Sequence, residues 1–508
     1  MANISLSSAK SERKDEFYTQ LSDIQLELKN YADKFKGKVV LCNCDDPFES
    51  NFVKYFLMNF NRLELKELIA TGYKTSPFGG LELGTINHPY VLRVKSTKKY
   101  LVGTQKDLNI TGCKYFLETE GANIMSPLIG NYALDKEGDK IQITKKETII
   151  DEKTGKKKTQ TVKQDLYYEA GDFRSHISLK LLEESDIVVT NPPFSLFREF
   201  VGLLAKYNKQ FLIIGNQNGI TYKEFFPLLK KNKAWLGFGF KGNVGFFKTP
   251  YTDTATSTQK IKGMIRVSGI TWFTNLDHPK RHIMIPLDLG YTYKGHEEMY
   301  PKYDNYDAIE VSKTLEIPCD YKGIMGVPLT FLDYFCPEQF EIVGLSSEGN
   351  DEIRIHNNGY YNGYEWFYGK NKEKKHRISS WMPLLRTNSK GGTLCKKTGC
   401  VDLYQLYWRI FIRFTESYIS SHPEQFINGG KTMLEFSEKI VCEDEDHCSL
   451  DCDHFHVFKP RSTCPGIVEG IGRANCEKYR EYLDLELKDK KLRVLRLNGC
   501  KEKFNGTK

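Results

Sequence analysis

The sequence has no apolar run long enough to cross a membrane. The best candidates, such as FLIIG at 211–215, have the length of a strand, well short of the roughly 18 residues that a membrane helix needs. The first residues, MANISLSSAKSERKDE, are polar and lack the apolar core of a secretory signal. We therefore expect no membrane contact and a cytoplasmic setting, in a bacterial or phage-infected cell.

A strong charge of either sign is also missing. The 508 residues carry a formal net charge of +8, which permits a polyanionic partner without demanding one. Hydrophobic residues make up 40% and charged residues 27%, values that exclude disordered, collagen-like and coiled-coil chains. We find no internal repeats, so the length predicts a globular chain of about three domains.

Cysteine is sparse over most of the chain and concentrated at its end. Eight of the 13 cysteines follow residue 394. Without a secretory signal, such clustering favours metal binding over disulfides. We expect a small module with a tetrahedral structural Zn²⁺, the alternative being reduced cysteines in a polar loop. The predicted ligands are Cys448, Cys452, His456 and Cys464.

Strand-like and helix-like segments alternate in two parts of the chain. Near the N-terminus, a helix at 14–34 precedes the strand KVVLC, a second helix and the strand candidate ELIATGY. Later, DIVVT, the helix LFREFVGLLAKY and FLIIGN repeat the rhythm. The alternation predicts an α/β fold with a parallel sheet covered on both faces, and ligands then bind beyond the carboxyl ends of the strands.

Composition predicts five regions along the chain. The α/β pattern occupies 1–73 and 166–234, interrupted by a polar insertion or lobe at 74–165 that contains a charged hairpin. Residues 235–414 are richer in glycine, aromatics and short strands, and 415–508 form the Cys/His-rich extension.

The most informative motif is Asn191-Pro192-Pro193-Phe194, directly after the apolar strand DIVVT. An exocyclic amine of a nucleobase is a poor nucleophile because its lone pair is delocalised into the ring. The Asn191 amide oxygen and the Pro192 carbonyl are candidate acceptors that keep this lone pair available. The two prolines restrict the backbone, and Phe194 offers a face on which a flipped-out base can stack. The alternative is a strand-ending turn with a core phenylalanine.

Longer segments resemble one family, the EcoRI-type adenine-specific DNA methyltransferases. They occur in family order and include KDEFYTQLSDI, CNCDDPFESNFVKYF, GDFRS, DIVVTNPPFSLFREF, GITWFTNLDHPKRH and YWRIFIR. The resemblance implies a Rossmann-like S-adenosyl-L-methionine-dependent sheet with a β-rich target-recognition region. It also implies methyl transfer to N6 of adenine in double-stranded DNA by a monomer. Such an enzyme is the modification half of a restriction-modification system, with a separate endonuclease, or a solitary or phage methylase.

The same resemblance implies positions for the cofactor. Phe17, Tyr18 and Thr19 are similar to the element that contacts the methionine end of S-adenosyl-L-methionine. Asp45, Asp46 and Pro47 occupy the loop that cradles the cofactor, and Asp172 and Phe173 resemble the pair at its adenine. From the residues alone, these segments are equally compatible with a helix entry, an N-cap turn and a helix-capping aspartate.

Residues 235–414 are expected to read DNA through a mixture of basic and aromatic side chains. The candidates are Lys241, Lys248, Lys280, Arg281 and His282, near Trp272 and Phe273. A β-rich subdomain with a solvated basic face is the alternative here. For the whole protein, the alternatives are a methyltransferase acting on RNA or protein glutamine, and an inactive, zinc-stabilised DNA-binding protein.

Overall fold

The chain forms two compact units, Met1–Pro279 and Lys280–Lys508. The computed structural model describes residues 18–45, 50–72, 91–95, 122–125, 130–134, 138–150, 157–169, 171–248, 260–261, 264–287, 289–291, 297–346, 353–355, 360–361, 363–368, 373–377, 381–387, 390, 392–397 and 401–427, and five short strands between 455 and 494.

The described part of the first unit alternates strands with short helices. Its strands are β1 (Tyr18–Thr19), β2 (Val39–Cys42), β3 (Glu67–Thr71), β4 (Val91–Val94), β5 (Ala122–Met125), β6 (Asn131–Tyr132), β7 (Gln142–Ile150), β8 (Lys157–Asp165), β9 (Tyr167–Tyr168), β10 (Ile187–Thr190), β11 (Gln210–Asn216), β12 (Trp235–Leu236), β13 (Val244–Lys248), β14 (Lys260–Ile261), β15 (Met264–Ser268) and β16 (Ile270–Thr274). Its α-helices are α1 (Leu21–Leu28), α2 (Asn51–Asn59), α3 (His176–Glu184), α4 (Phe197–Lys206) and α5 (Phe226–Lys230).

Eight of these strands form the main sheet, in the order β12-β16-β11-β10-β2-β3-β4-β5. The four central strands, β11, β10, β2 and β3, are parallel, and β16, β4 and β5 pair antiparallel at the two sides. Both β2 and β10 are buried along their whole length, as parallel strands covered on two faces require. The prediction of a parallel α/β core is thus confirmed.

Helix α4 shows how the sequence covers this sheet. Phe197, Phe200, Val201 and Leu204 are its buried residues, spaced three and four apart so that they form one apolar stripe. Helix α2 begins at the N-cap Ser50, whose Oγ accepts a hydrogen bond from the Phe52 amide at 3.1 Å.

The element boundaries differ from the sequence expectation in three places. Tyr18 and Thr19 form a strand that pairs with β13, so the first helix begins only at Leu21. The segment 74–165 is not solely a lobe, because β4 and β5 extend the main sheet. Residue 235 is not a boundary of the fold: β12 and β16 also belong to the main sheet, and the two units divide after Pro279.

The described part of the second unit is mostly β. One sheet has the order β17-β18-β25-β19 and another the order β21-β20-β23-β24-β22. The strands are β17 (Ile309–Glu310), β18 (Met325–Pro328), β19 (Phe340–Leu345), β20 (Glu365–Tyr368), β21 (Glu373–Arg377), β22 (Leu384–Leu385), β23 (Thr393–Lys396), β24 (Leu403–Gln405) and β25 (Arg409–Phe414), followed by helices α6 (Glu416–Ser421) and α7 (Pro423–Ile427).

Strand β25 is the centre of the first of these sheets, and it contains a buried ion pair. The Arg409 guanidinium donates to both oxygens of Glu310, which is fully buried, and Tyr303 also donates to this carboxylate. Burial of an arginine and a glutamate is tolerated because each charge is neutralised by the other and by hydrogen bonds.

Five short strands are described in the C-terminal extension: β26 (Phe455–Val457), β27 (Ala474–Cys476), β28 (Glu481–Leu483), β29 (Leu485–Lys488) and β30 (Lys491–Val494). Strands β26, β27 and β28 pair antiparallel, as do β29 and β30. Among the described helices of the whole chain, none has the length and apolar character needed to span a membrane.

Candidate active site at the carboxyl edge of the sheet

In the main sheet, successive strands are added outward in opposite directions on the two sides of the β2–β10 pair. These strands are parallel neighbours, with Val40 opposite Ile187, and the sheet continues to β3 on one side and to β11 on the other. The carboxyl ends of two such strands diverge into loops and leave a crevice, which is where ligands bind in open α/β sheets. Asn43 follows β2 and Asn191 follows β10, so the two predicted loops do meet at one edge.

A single hydroxyl joins these two loops. Thr190, the last residue of β10, is fully buried. Its Oγ1 donates to Oδ2 of Asp45 and accepts from the Cys44 amide at 3.2 Å. The other Asp45 oxygen, Oδ1, accepts from Ser50 Oγ at 2.8 Å. Asp45 is therefore a buried anchor that links Ser50, at the start of α2, to Thr190, the residue preceding Asn191.

Strand β1 is held beside the same loop. The Asn51 side chain, at the start of α2, donates to the Thr19 carbonyl at 2.7 Å. Thr19 Oγ1 and Asn43 Nδ2 are both buried, and neither has a hydrogen-bond partner among the described residues. Because buried polar atoms are normally satisfied, an unpaired hydroxyl and an unpaired amide at this edge point to a polar ligand that binds there.

The prolines of the tetrapeptide hold the backbone of the second loop. Pro192 is buried, and Asn191, Pro193 and Phe194 are partly buried. The Pro193 carbonyl accepts from the Leu196 amide at 2.9 Å in the short turn that follows, whereas no backbone N–H of the described residues donates to the Pro192 carbonyl. The Pro192 carbonyl thus has capacity for an external donor, as the sequence argument required.

The turn after Phe194 is fixed by close packing on β11. The Phe197 ring lies so close to Gly215 that a Cβ there would come within 2.3 Å of it, so only glycine fits at the end of this strand. Phe197 also packs on Phe273, with ring centroids 4.9 Å apart. The tetrapeptide is therefore held by buried contacts on its C-terminal side as well as by Thr190 before it.

Asp172 is engaged by a neighbouring cation. Its Oδ1 accepts from the Arg174 amide and Nε, both at 2.9 Å, and its Oδ2 accepts from an Arg174 terminal nitrogen at 2.7 Å. Arg174 also pairs with Glu199 on α4. Phe173 is buried against Phe200. Within the described part of the chain, these contacts leave Asp172 one unused lone pair on Oδ2, because each carboxylate oxygen accepts two hydrogen bonds.

Two thiols lie at this edge, and both are kept neutral. Burial raises the pKa of Cys42 and of Cys44 well above the ordinary range, and the negative charge of Asp45 raises both further. Because a thiolate is the nucleophilic form of cysteine, neither residue is suited to covalent catalysis. The chemistry of the site is that of hydrogen-bond acceptors and aromatic faces.

Sequence reasoning missed a third loop at the same edge. Strands β12 and β11 are both antiparallel to β16, so β12 runs parallel to β11 and the loop after Leu236 leaves from the carboxyl edge. The amides of Phe238 and Gly239 donate to the buried carboxylate of Glu27, at 2.8 and 3.1 Å. The signal in the sequence is the glycine-aromatic run GFGF, but Glu27 lies more than 200 residues away and has no local signature.

Several of the other predicted site residues lie outside the part of the chain that the structure describes. Phe17, Asp46 and Pro47 lie outside the described residues, as do Cys448, Cys452 and Cys464; the side chains of Tyr18, Lys241, Lys248 and His456 are likewise not described. Among the residues that are described, no cluster of three or more potential metal ligands occurs.

Two expected DNA-reading aromatics are wrong. Trp272 and Phe273 are fully buried in β16, inside the main sheet, so they cannot contact a groove. Arg281 is also largely buried, and His282 pairs with Glu338 at 2.7 Å. Composition fails as a guide here because a strand covered on both faces buries every side chain, including its aromatic ones.

Comparison with known proteins gives one matching family and several relatives. The family model "Adenine-specific methyltransferase EcoRI" matches residues 5–413. The chain is 41% identical to the type II methyltransferase M.EcoRI of Escherichia coli over 362 residues, which cover 70% of this chain and 92% of that protein. It is 36% identical to the type II methyltransferase M.MpnI of Mycoplasma pneumoniae over 343 residues, covering 66% and 83%.

A third relative, the type II methyltransferase M.MgeORF184P of Mycoplasma genitalium, is 33% identical over 342 residues, covering 66% of this chain and 84% of its own. No solved structure matches the chain. The resemblance inferred from the motifs is confirmed by a match that spans the main sheet and residues 280–413 of the second unit. The chain belongs to the EcoRI family of adenine-specific DNA methyltransferases.

Proposed function

We propose that the protein transfers the methyl group of S-adenosyl-L-methionine to N6 of an adenine flipped out of duplex DNA, at the crevice between β2 and β10. The observation that carries this proposal is the junction of the two loops: Thr190 directly precedes Asn191 and also hydrogen-bonds Asp45. One rigid edge thereby presents a nucleobase-binding motif beside a predicted cofactor loop.

Within this proposal, Asn191 and Pro192 orient the adenine amine. The amide oxygen of Asn191 and the carbonyl of Pro192 each accept one of its N–H bonds. As the bond between N6 and the methyl carbon forms, N6 becomes tetrahedral and gains positive charge. Two hydrogen-bond acceptors in fixed positions stabilise this charge in the transition state. Phe194 provides the aromatic face for the extruded base. Stacking on this face offsets part of the free energy that is lost when the base leaves the duplex.

The residues at the edge fit the cofactor. When bound, S-adenosyl-L-methionine supplies an electrophilic methyl group on a sulfonium. Thr19 Oγ1 and Asn43 Nδ2 are unsatisfied among the described residues and can hydrogen-bond its polar groups. We assign Phe17, Tyr18 and Thr19 to its methionine end, and Asp45, Asp46 and Pro47 to the loop around it. Asp172 retains one acceptor position for the amine of its adenine, with Phe173 beside it.

The test is to incubate the protein with radiolabelled S-adenosyl-L-methionine and duplex DNA, then to digest the DNA and identify the labelled nucleoside. N6-methyladenine is the expected product. Label in RNA or protein alone would instead support a methyltransferase with another acceptor. DNA binding without transfer would support an inactive DNA-binding protein.

A substitution in the tetrapeptide tests its role in methyl transfer separately from the binding of cofactor and DNA. Asn191→Ala should lower the turnover number by about 10²- to 10³-fold, the usual cost of one preorganised hydrogen-bonding group. The dissociation constants for cofactor and DNA should stay within about twofold. Asn61→Ala, at an exposed position after α2, is the matched control and should leave turnover unchanged. Normal turnover by Asn191→Ala would refute the role of this amide.

We further propose a Rossmann-like cofactor fold for the first unit and DNA recognition by the second, with the enzyme acting as a monomer in the cytoplasm and any cognate endonuclease acting separately. The mixed α/β main sheet and the family membership support the first two points. Gel filtration coupled to light scattering tests the monomer, with a mass near 58.7 kDa expected.

For the extension at 415–508, we propose a structural Zn²⁺ bound by Cys448, Cys452, His456 and Cys464. The dense cysteines and histidines of the sequence support it. Elemental analysis of the purified chain should give about one zinc per molecule, and the Cys448→Ser/Cys452→Ser variant should lose it. Cys319→Ser, outside this cluster, should retain the metal. Zinc-free wild-type protein would contradict the proposal.

A further inference from the structure

The longest pair of strands described in the first unit is a basic hairpin, which has no part in the proposed active site. Strands β7 and β8 pair antiparallel over nine residues each, from Gln142 opposite Asp165 to Ile150 opposite Lys157. They form a two-stranded sheet that pairs with no third strand among the described residues. We call these two strands, residues 142–150 and 157–165, the basic arm.

The composition of the basic arm does not explain why it forms. A two-stranded hairpin is at best marginally stable in water without an apolar face to bury. Lys145 and Lys163 are exposed, as are Thr144 and Thr161. Most of the arm's described side chains are exposed and polar and gain little from burial, so its regular pairing points to an external partner that binds it.

The charge of the basic arm identifies the chemistry of that partner. Its 18 residues contain five lysines and two acidic residues, a net charge of +3, while the whole chain of 508 residues has a net charge of only +8. The arm is therefore several times more basic per residue than the rest of the chain. Such a concentration of lysine on a narrow ribbon fits a polyanion.

The base of the arm is fixed to the catalytic edge. Strands β6 and β9 flank the arm and pair with each other, and the Asn131 side chain accepts from the His176 amide at the start of α3. The Arg174 guanidinium lies 4.9 Å from the ring centroid of Tyr168 and pairs with Glu199 on α4. Helix α4 begins three residues after Phe194, so the arm is rooted beside the tetrapeptide.

We propose that the basic arm binds the phosphate backbone of duplex DNA beside the target adenine. Nine residues at about 3.4 Å each give a ribbon about 30 Å long, which matches about nine base pairs of duplex. The arm meets phosphates, so it adds affinity for any sequence and leaves base readout to other parts of the protein. This inference depends on DNA being the substrate, and its test does not depend on methyl transfer.

The test compares two variants that remove the same charge. The arm variant carries Lys145→Gln, Lys157→Gln, Lys158→Gln and Lys163→Gln. The control carries Lys36→Gln, Lys66→Gln, Lys206→Gln and Lys233→Gln, four exposed lysines that precede strands of the main sheet and so lie at its opposite edge. Binding to a fluorescent 30-base-pair duplex of random sequence is measured by anisotropy from 50 to 300 mM KCl.

For the arm variant, affinity at 50 mM KCl should fall on the order of tenfold or more. The slope of log K against log salt should become shallower by about 2 to 3.5, at about 0.9 for each phosphate that the variant no longer neutralises. The control should change the slope by less than about 1. Equal slopes for the wild-type protein and the arm variant would overturn the proposal, as would equal effects of the two variants.

A gain-of-charge variant keeps the proposal testable even if the arm variant misfolds. Thr144→Lys/Thr161→Lys adds two lysines at exposed positions of the ribbon and should steepen the slope by about 1.8. An unchanged slope in this variant would also overturn the proposal. If the wild-type protein binds DNA as expected here but transfers no methyl group to it, the proposed function fails while the arm does not.

Discussion

Thr190→Val tests whether one hydroxyl couples the proposed cofactor loop to the tetrapeptide that we propose to be catalytic. Valine has nearly the shape of threonine but can neither donate to Asp45 nor accept from the Cys44 amide. A buried polar group that loses its partner costs about 1–3 kcal/mol. With two groups affected, and with Asp45 still bound by Ser50, we expect the free energy of unfolding to fall by about 2–4 kcal/mol.

The same change should weaken cofactor binding. Without Thr190 Oγ1, Cys44 and Asp45 are held less firmly in the free enzyme, and cofactor binding must then fix them. If about 1.4 kcal/mol of the lost stabilisation appears in binding, the dissociation constant for S-adenosyl-L-methionine rises about tenfold. Urea denaturation measures the stability, and isothermal titration calorimetry measures the affinity.

Thr190→Ser is the control, because it keeps the hydroxyl and removes only a methyl group. It should bind the cofactor within about twofold of the wild-type protein and lose no more than about 1.5 kcal/mol of stability. If both variants weaken cofactor binding equally, packing of the methyl group matters and the hydroxyl does not. If Thr190→Val binds as tightly as the wild-type protein, the coupling inferred from the geometry is refuted.

Three further predictions concern buried groups elsewhere. Glu27→Gln should cost about 2–3 kcal/mol in urea unfolding, because an amide NH₂ would face backbone donors; a loss below about 0.5 kcal/mol, on the scale of a neutral surface change, would contradict this. Arg409→Met should cost about 3–5 kcal/mol and Glu310→Leu/Arg409→Met less, since the double variant leaves no buried unpaired charge; additive losses would refute the pair. Burial raises the pKa of the Cys395 thiol from 9.0 to about 12. At pH 8, iodoacetamide should therefore alkylate this thiol about 1,000-fold more slowly in the native than in the urea-unfolded protein. Equal alkylation rates, measured by peptide mapping, would count against burial.

The Cys395 thiol also makes stability depend on pH. In the unfolded chain the thiol ionises near its ordinary pKa of 9.0, whereas in the native protein burial raises this pKa to about 12. Between these values the native state binds more protons, so its stability falls as pH rises from about 9 to 12 and is unaffected by this group below that window. Cys395→Ala should flatten the alkaline part of the stability profile.

Local sequence pattern was sufficient to predict the central strands and the position of the tetrapeptide at the end of one of them. The apolar runs at 39–42, 187–190 and 210–216 are confirmed as parallel strands, since strands buried on both faces leave an unmistakable continuous signature. The charged hairpin is also confirmed. It could be predicted because regular polar segments flank a Thr-Gly turn signal in the sequence. Strand-end loops then follow from the topology of parallel sheets.

The sequence could not reveal pairings between distant segments. Tyr18–Thr19 extends the opening helical pattern by periodicity, yet it pairs with residues 247–248, about 230 positions away. Trp272 is buried because β16 lies between β11 and β12, and no local feature distinguishes that strand from a solvent-facing one. Contacts of this kind depend on tertiary packing, which overrides local propensity.

The arrangement of the edge has a consequence for the order of events in catalysis. Asp45 is bound at one oxygen by Ser50 and at the other by Thr190, so a displacement of the cofactor loop is transmitted to the residue beside Asn191. Loops joined through a shared buried group order together, and a ligand that orders one of them reduces the cost of ordering the other. We therefore expect S-adenosyl-L-methionine, or a non-reactive analogue, to tighten binding of a duplex that contains the target adenine, and DNA to tighten cofactor binding by the same factor. Thr190→Val should reduce this factor toward 1 while Thr190→Ser preserves it, and a factor of about 1 in the wild-type protein would mean that the two loops act independently.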